Sequence, residues 1–365
     1  MPFKLSELPT YPVKADMWDD LANEKRPVLV YGMGNGADKL FKRLEKYGVD
    51  VADVFASDGF VRGHSYKGFR VKSFSEIKES YSDFVILLSF ASRRDDVLSL
   101  LSEIDREYDL YIPDMPVADE EEYFDKEFYN ANYREILKAY ERLSDKTSKD
   151  FFANLINYKL SGKMCFLEAA FQESGGKYIL FEREKIRTAI DLGAYNGDTA
   201  REMAEAFPSL SEIHAVEADA KTYKRLLKYA ESETRTRIFT YNAAVWQECG
   251  EGSFSSSGNR NSTICATPSY QHTEKETALL TVDSLGVDAD YIKLDVEGAE
   301  LEALIGSRST VLRCRPVLSV SAYHKSKDIF FLLNYLLDEY PFYKVYLRRQ
   351  RCVPAWEIDL IFVPT

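Results

Sequence analysis

The stretch TAIDLGAYNGDTAREMAEAF (188–207) decides the fold. A short apolar run ends in Asp191, a tight turn carries Gly193 and Gly197, and helical spacing begins near Thr199. Thr199 and Glu202 stand at the spacing of a capping box, which predicts the first turn of that helix. Strand, glycine turn and helix in this order open a βαβ unit, and the N-terminus of such a helix attracts an anionic group. In a dinucleotide fingerprint the middle glycine lets the backbone approach a pyrophosphate. Tyr195 stands at that place here, so a pyrophosphate is disfavoured.

The next strands refine the ligand. Glu217, in HAVEAD, lies 26 residues after Asp191, where a strand end can offer its carboxylate to both hydroxyls of a ribose. The third strand ends in YNAAV, which places Asn242 and Ala243 beside an adenine. A nucleoside ligand without a pyrophosphate, S-adenosylmethionine, fits this set. The helix N-terminus would attract its carboxylate and Asp191 its ammonium. Gly193, Ala194, Tyr195, Asn196, Gly197, Thr199 and Ala218 complete the expected cradle. The competing reading is that these are only the tight turns of an α/β sheet.

Outward from this centre, strand and helix signals alternate in two regions. VLVYG, VADVFASD, FRVKS and DFVILLSF fill residues 27–118, and seven or eight strand-like runs fill 177–365. Between them, 119–176 lacks strand candidates and shows apolar residues at helical spacing, as a helical connector would. Residues 1–26 read as an arm or short helix. The fold class is α/β, with two Rossmann-like domains joined by this connector. The acidic DEEE (119–122) reads as a solvated first helical turn. The polar segment 248–273 reads as a long loop with room for one strand, in which Arg260, Asn259 and Asn261 are placed to hold a sugar hydroxyl or phosphate.

Composition sets the outer limits. Hydrophobic residues make up 45% of the 365 residues and charged residues 29%, enough for real cores and against global disorder. A net charge of −12 repels phosphate backbones, which argues against nucleic-acid binding. Cys165, Cys249, Cys265, Cys314 and Cys352 are scattered and never at C-x-x-C spacing, as reduced thiols of a cytoplasmic protein would be. The start, MPFKLSELPT, has no secretory pattern. The apolar run IFFLLNYLL has nine residues, far below the ~20 of a membrane span.

At this point DLGAYNGDT, VEAD, NAAV, TVDSL, YIKLDVEGAELEALIGS and PVLSVSAYHK together resemble the FkbM-type methyltransferases over about 188–363. The resemblance implies that the second domain has the class I methyltransferase fold and transfers a methyl group from S-adenosylmethionine, usually to a hydroxyl oxygen. LSDKTSKDFFANLINYKLSG looks like the helical lead-in of bacterial members tied to glycan and capsule biosynthesis, implying a small-molecule or glycan acceptor in polysaccharide biosynthesis. Trp246 is a departure, standing where members often carry Gly or Ser.

The first glycine loop, YGMGNGADKL, reads differently. Gly32, Gly34 and Ala37 match G-x-G-x-x-G/A between a strand and a helix, and Asp58 follows at the expected distance. This region also looks similar to small sugar-nucleotide-type Rossmann domains, which would bind a nucleotide or nucleotide-sugar. The alternative is a domain kept for docking or assembly.

For the chemistry, Asp295 ends the strand YIKLD and His324 ends PVLSVSAYH. Imidazole is suited to proton abstraction near neutral pH, so His324 is the expected general base, with Asp295 beside the methyl position. Glu300 reads as an ordinary first-turn acid. His64, His214 and His272 read as structural or exposed. Asp295, Glu297 and His324 are also of the types that ligate Mg²⁺ or Mn²⁺; nothing in their spacing demands it, and no metal is expected. Two rivals remain: a nucleotide-sugar or NAD-binding enzyme acting through the first domain, and a non-catalytic docking protein.

Overall fold

In the computed structural model, which describes residues 2–61, 63–118, 122–170, 176–255, 263–265 and 274–365, two parallel sheets are joined through buried helices. The first sheet takes Val28–Tyr31, Val51–Ala56, Lys72–Ser73, Val85–Leu88 and Asp109–Tyr111 in the spatial order third, second, first, fourth, fifth. All its pairings are parallel. Val28–Tyr31 and Val85–Leu88 are buried at every position, as strands covered on both faces must be.

The second sheet has seven strands: Thr188–Leu192, Glu212–Val216, Arg237–Tyr241, Tyr291–Leu294, Val317–Ser321, Tyr343–Arg349 and Ile358–Pro364. Their order in space is third, second, first, fourth, fifth, seventh, sixth, and Ile358–Pro364 is antiparallel to both its neighbours. The order reverses between Thr188–Leu192 and Tyr291–Leu294, which opens a crevice at their carboxyl ends. Segment 248–273, expected to be a long loop, instead contributes Gly250–Ser255 and Thr263–Cys265 to a side sheet with Ala244–Val245 and Glu274–Leu280. Arg260, Asn259, Asn261, His272 and Asp119 to Glu121 lie outside the described residues.

The connector is helical, but it is not an amphipathic bridge. Asp125 and Asp145 cap Lys126–Arg142 and Lys146–Ser161 by accepting the Phe128 and Ser148 N–H groups at 2.9 and 2.7 Å. Lys146–Ser161 is buried around almost its whole circumference, which makes it a core element rather than a surface helix. It packs on Tyr343–Arg349, where the Leu347 N–H donates to Ser148 Oγ at 2.9 Å and Arg348 pairs with Asp145 at 2.7 Å. The N-terminal arm lies on the same helices: Asp16 caps Met17–Ala22 and also accepts the Lys126 N–H at 2.7 Å.

Beyond its fourth strand the first sheet reaches the second domain. Ser92 and Val353 exchange both backbone hydrogen bonds, at 2.8 and 3.0 Å, and the Ala118 N–H donates to the His324 carbonyl at 2.9 Å. Among the described residues no helix is long and apolar enough to cross a membrane.

Candidate active site

A cavity of about 240 Å³ lies at the crevice of the second sheet. Its lining divides in two. Gly193, Tyr195, Thr199, Glu217, Ala218 and Ala243 come from the first three strand ends; Arg93, Asp295, Glu297, Tyr323, Gln350 and Glu357 face them. The wall carries seven carboxylates against the cations Arg93 and Lys293, a field that favours a ligand of net positive charge.

The first turn is shaped by contacts that only glycine permits. Gly193 has φ 76°, and a Cβ there would lie 1.8 Å from the Asp295 carbonyl oxygen. Gly197, φ 89°, would meet the Tyr229 ring at 2.4 Å if it carried a Cβ. Gly193 and Ala194 both donate N–H to the Val216 carbonyl, at 3.0 and 2.9 Å, which ties the turn to the second strand. Asn196 Oδ1 accepts the Asp198 N–H at 3.2 Å and tightens the turn from within. Ala194, Asn196 and Gly197 therefore shape the loop and do not themselves line the cavity.

Glu217 is the centre of the donor half. One carboxylate oxygen accepts the Tyr195 N–H at 2.9 Å and the other the Asp219 N–H at 2.7 Å. Burial pushes its carboxyl up to about 7 against the pull of those two backbone donors. The Asn242 amide donates to the Glu217 and Ala218 carbonyls at 2.9 and 3.2 Å, so Asn242 fixes the strand end while Ala243 lines the cavity.

Asp191 is fully buried beneath this loop. Thr199 Oγ1 donates to its Oδ2 at 2.6 Å, and Lys293 Nζ lies 3.3 Å from its Oδ1. The expected capping box does not form, because the Thr199 hydroxyl is taken by Asp191. The helix instead starts at Asp198 without a side-chain cap, and Glu202 accepts from the Tyr178 hydroxyl at 2.7 Å. Lys293 was not singled out from the sequence. Burial alone would discharge its ammonium, but Asp191 and Asp295 outweigh that and keep it charged.

Asp295 and Glu297 stand at the tip of the central strand. Burial alone would raise the Asp295 carboxyl, yet Lys293 and then His324 hold it below the usual carboxylate range. Glu297 is pushed up to about 8 by burial, with Asp295 and Glu300 adding to the effect against His324. Its backbone is left-handed, φ 54°, a conformation that costs a glutamate energy.

His324 corrects the expected general base. Its side chain is fully buried and does not line the cavity. Burial would lower its pKa, but Glu300, Glu297 and Asp295 outweigh that and raise it to about 10. Sealed from the cavity, this imidazole is not placed to take a proton from an acceptor. Glu300 is corrected too: it is 1% exposed, its Oε1 accepts the Val296 N–H at 3.0 Å, and that oxygen lies 2.9 Å from His324 Nδ1. His214 is structural, held between Tyr241 and Glu212 at 2.8 and 2.7 Å, and His64 is exposed.

In the first domain Gly32 and Gly34 have φ 113° and 96°, Ala37 is buried, and a helix starts at Asn35. Asp58 departs from the expectation. It lies in a short turn after the strand ends at Ala56, and its carboxylate accepts the Ser75 N–H and Oγ–H at 3.1 and 2.5 Å. That carboxylate is engaged by the first turn of the helix Phe74–Ser80, whose cap is Ser73, and this competes with any ribose.

Residues 191–347 match the model of the methyltransferase FkbM domain. No curated protein matches the chain. The chain is similar in structure to methyltransferase FkbM from Methylobacillus flagellatus KT, at TM-score 0.69 and 18% identity over 96% of this chain and 94% of that one. A precorrin-6y C5,15-methyltransferase from Geobacter metallireducens GS-15 aligns at TM-score 0.32 and 11% identity over 49% of this chain and 82% of that one.

Proposed function

We propose that this chain, whose residues 191–347 match the methyltransferase FkbM domain, is an S-adenosylmethionine-dependent methyltransferase that methylates a hydroxyl oxygen of a sugar or glycan precursor bound between its two domains. The observation that carries the reading is the division of the cavity into two chemically different halves. The donor half pairs the glycine turn with Glu217, both of whose oxygens keep lone pairs free for ribose hydroxyls. The acidic wall suits a donor whose sulfonium and ammonium outweigh its carboxylate. Asp191, sealed under Thr199 and Lys293, acts by orienting the turn rather than by touching the ammonium directly.

The acceptor half is built almost wholly of hydrogen-bonding groups. Arg93, Gln350 and Glu357 offer donors and acceptors, and the Tyr323 ring offers a flat face for the C–H surface of a sugar. A lone pair of the acceptor oxygen attacks the methyl carbon, and the carbon–sulfur bond breaks with its electrons passing to sulfur. The acceptor's proton leaves towards Asp295 or Glu297, the carboxylates at the strand tip. In this reading His324 is a positioning residue for both.

The test is incubation of the full chain with S-adenosylmethionine and a panel of nucleotide-sugars and lipid-linked glycans, reading S-adenosylhomocysteine. A polyhydroxylated acceptor should raise its formation above the rate without acceptor. Stimulation only by amine or catechol acceptors would overturn the assignment. Binding of NAD without S-adenosylhomocysteine would move the activity to the first domain.

A further inference from the structure

His324 has surroundings that hydrogen bonding does not explain. It is fully buried among three carboxylates, yet neither ring nitrogen makes a hydrogen bond. Nδ1 lies 2.9 Å from Glu300 Oε1, and Nε2 lies 3.4 Å from both Asp295 Oδ1 and Glu297 Oε2. The oxygens are near enough but lie off the directions in which the ring N–H bonds point. The second oxygen of Glu300, itself 1% exposed, also lacks a hydrogen-bond partner. Orphaned polar atoms this deep are costly, so such a cluster calls for a partner.

An ion can take only one ring nitrogen, and donor contacts of this length around that nitrogen are what metal coordination produces. In an octahedron with bonds of about 2.1 Å, neighbouring donor atoms lie about 3.0 Å apart and well off each other's lone-pair axes. Asp295, Glu300 and His324 each present a donor atom, all within 4.8 Å of one another. We propose that these three residues hold a divalent cation at the wall of the cavity. Carboxylates favour Mg²⁺ and Mn²⁺ while the imidazole favours a softer ion, and the mixture points to Mn²⁺. Glu297, beside Nε2 and on the cavity wall, is placed to orient the ligand set.

The site has a chemical use if the methyl-transfer reading is right, on which this clause alone rests. Asp295 belongs both to the cation cluster and to the cavity, so the ion would sit one side chain from the acceptor. A cation there would fix the orientation of the Asp295 carboxylate at the cavity wall, where an acceptor hydroxyl would meet it.

The experiment is titration of the metal-stripped full chain with Mn²⁺, read by calorimetry and by pulsed electron paramagnetic resonance. One Mn²⁺ per chain is expected, with nitrogen modulation from a coordinated imidazole. His324→Gln should abolish the modulation, and Glu300→Gln should weaken binding roughly 10–100-fold. The wild-type spectrum keeps the test valid even if a variant fails to fold: bound Mn²⁺ without nitrogen modulation, or no uptake at millimolar Mn²⁺, overturns the site. S-adenosylhomocysteine is titrated in parallel. Retained nucleoside binding without metal uptake would remove the cation and leave the methyltransferase reading standing.

Discussion

Lys293 Nζ lies 3.3 Å from Asp191 Oδ1 with both side chains buried, so the two central strands of the second sheet are held together by charge as well as by their backbone ladder. Lys293→Met leaves Asp191 without its counter-ion. Removing one partner of a buried pair typically costs ~3–5 kcal/mol. Urea denaturation followed by circular dichroism should show that loss, and adding Asp191→Asn should recover part of it. An unchanged midpoint would mean that the pair contributes nothing.

Glu217 should make donor binding pH-dependent. Its folded pKa is raised, from 4.5 to about 7. In the unliganded protein its contribution to stability is therefore present below pH 4.5 and is lost as pH rises through about 7. Binding has the opposite sign, because the ionised carboxylate is the form that accepts two ribose hydroxyls. S-adenosylhomocysteine affinity should fall by up to roughly tenfold per pH unit below the folded pKa. Calorimetry from pH 5.5 to 8.5 reads this directly, and Glu217→Gln should bind more weakly and flatten the profile. A flat wild-type profile would sink the ribose assignment.

Gly193 tolerates no side chain, since its Cβ would stand 1.8 Å from the Asp295 carbonyl oxygen. Gly193→Ala must push the turn away from the central strand tip and so separate the donor residues from Asp295. A shift of about 1 Å costs roughly 100-fold in a positioned reaction. Turnover of the alanine variant should fall by that order, with the protein still folded by circular dichroism. Near-normal turnover would show that the turn has another way to close.

Arg93 tests the part played by the first domain. It reaches the cavity from that domain and pairs with Glu357 at 3.2 Å. A charged hydrogen bond is worth about 1.5–3 kcal/mol, so Arg93→Ala should raise the acceptor KM by roughly tenfold or more. Affinity for S-adenosylhomocysteine should stay within about twofold, because Arg93 lies on the acceptor side. A loss of donor affinity with no change in acceptor KM would reverse the two halves.

What could be read from the chain was local in sequence. Asp191, Gly193, Glu217 and Ala243 each sit at a fixed offset from a strand end, so strand signals alone placed them on one edge. Arg93, Gln350 and Glu357 come together only through the Ser92–Val353 bridge, which joins segments some 260 residues apart and has no signature in either. Lys293 did leave a trace: a lysine inside the apolar run YIKL must find a buried counter-charge. Thr199 leaves its expected role, and Glu300 adds to its first-turn role, for one reason. Each stands at a helix start where a generic end effect is expected, and each is claimed by a buried partner from elsewhere, Asp191 and His324.

Strand Ile358–Pro364 follows Tyr343–Arg349 in the chain but lies between it and Val317–Ser321 in space. As the chain leaves the ribosome, Tyr343–Arg349 therefore has no strand partner until the later strand arrives to be threaded in beside it. The helix Lys146–Ser161 waits through the synthesis of almost 200 residues with the face that meets Tyr343–Arg349 uncovered. Nascent chains stalled before the last strand of the sheet carry an open sheet edge and one bare face of a core helix, the features that chaperones bind and that drive aggregation.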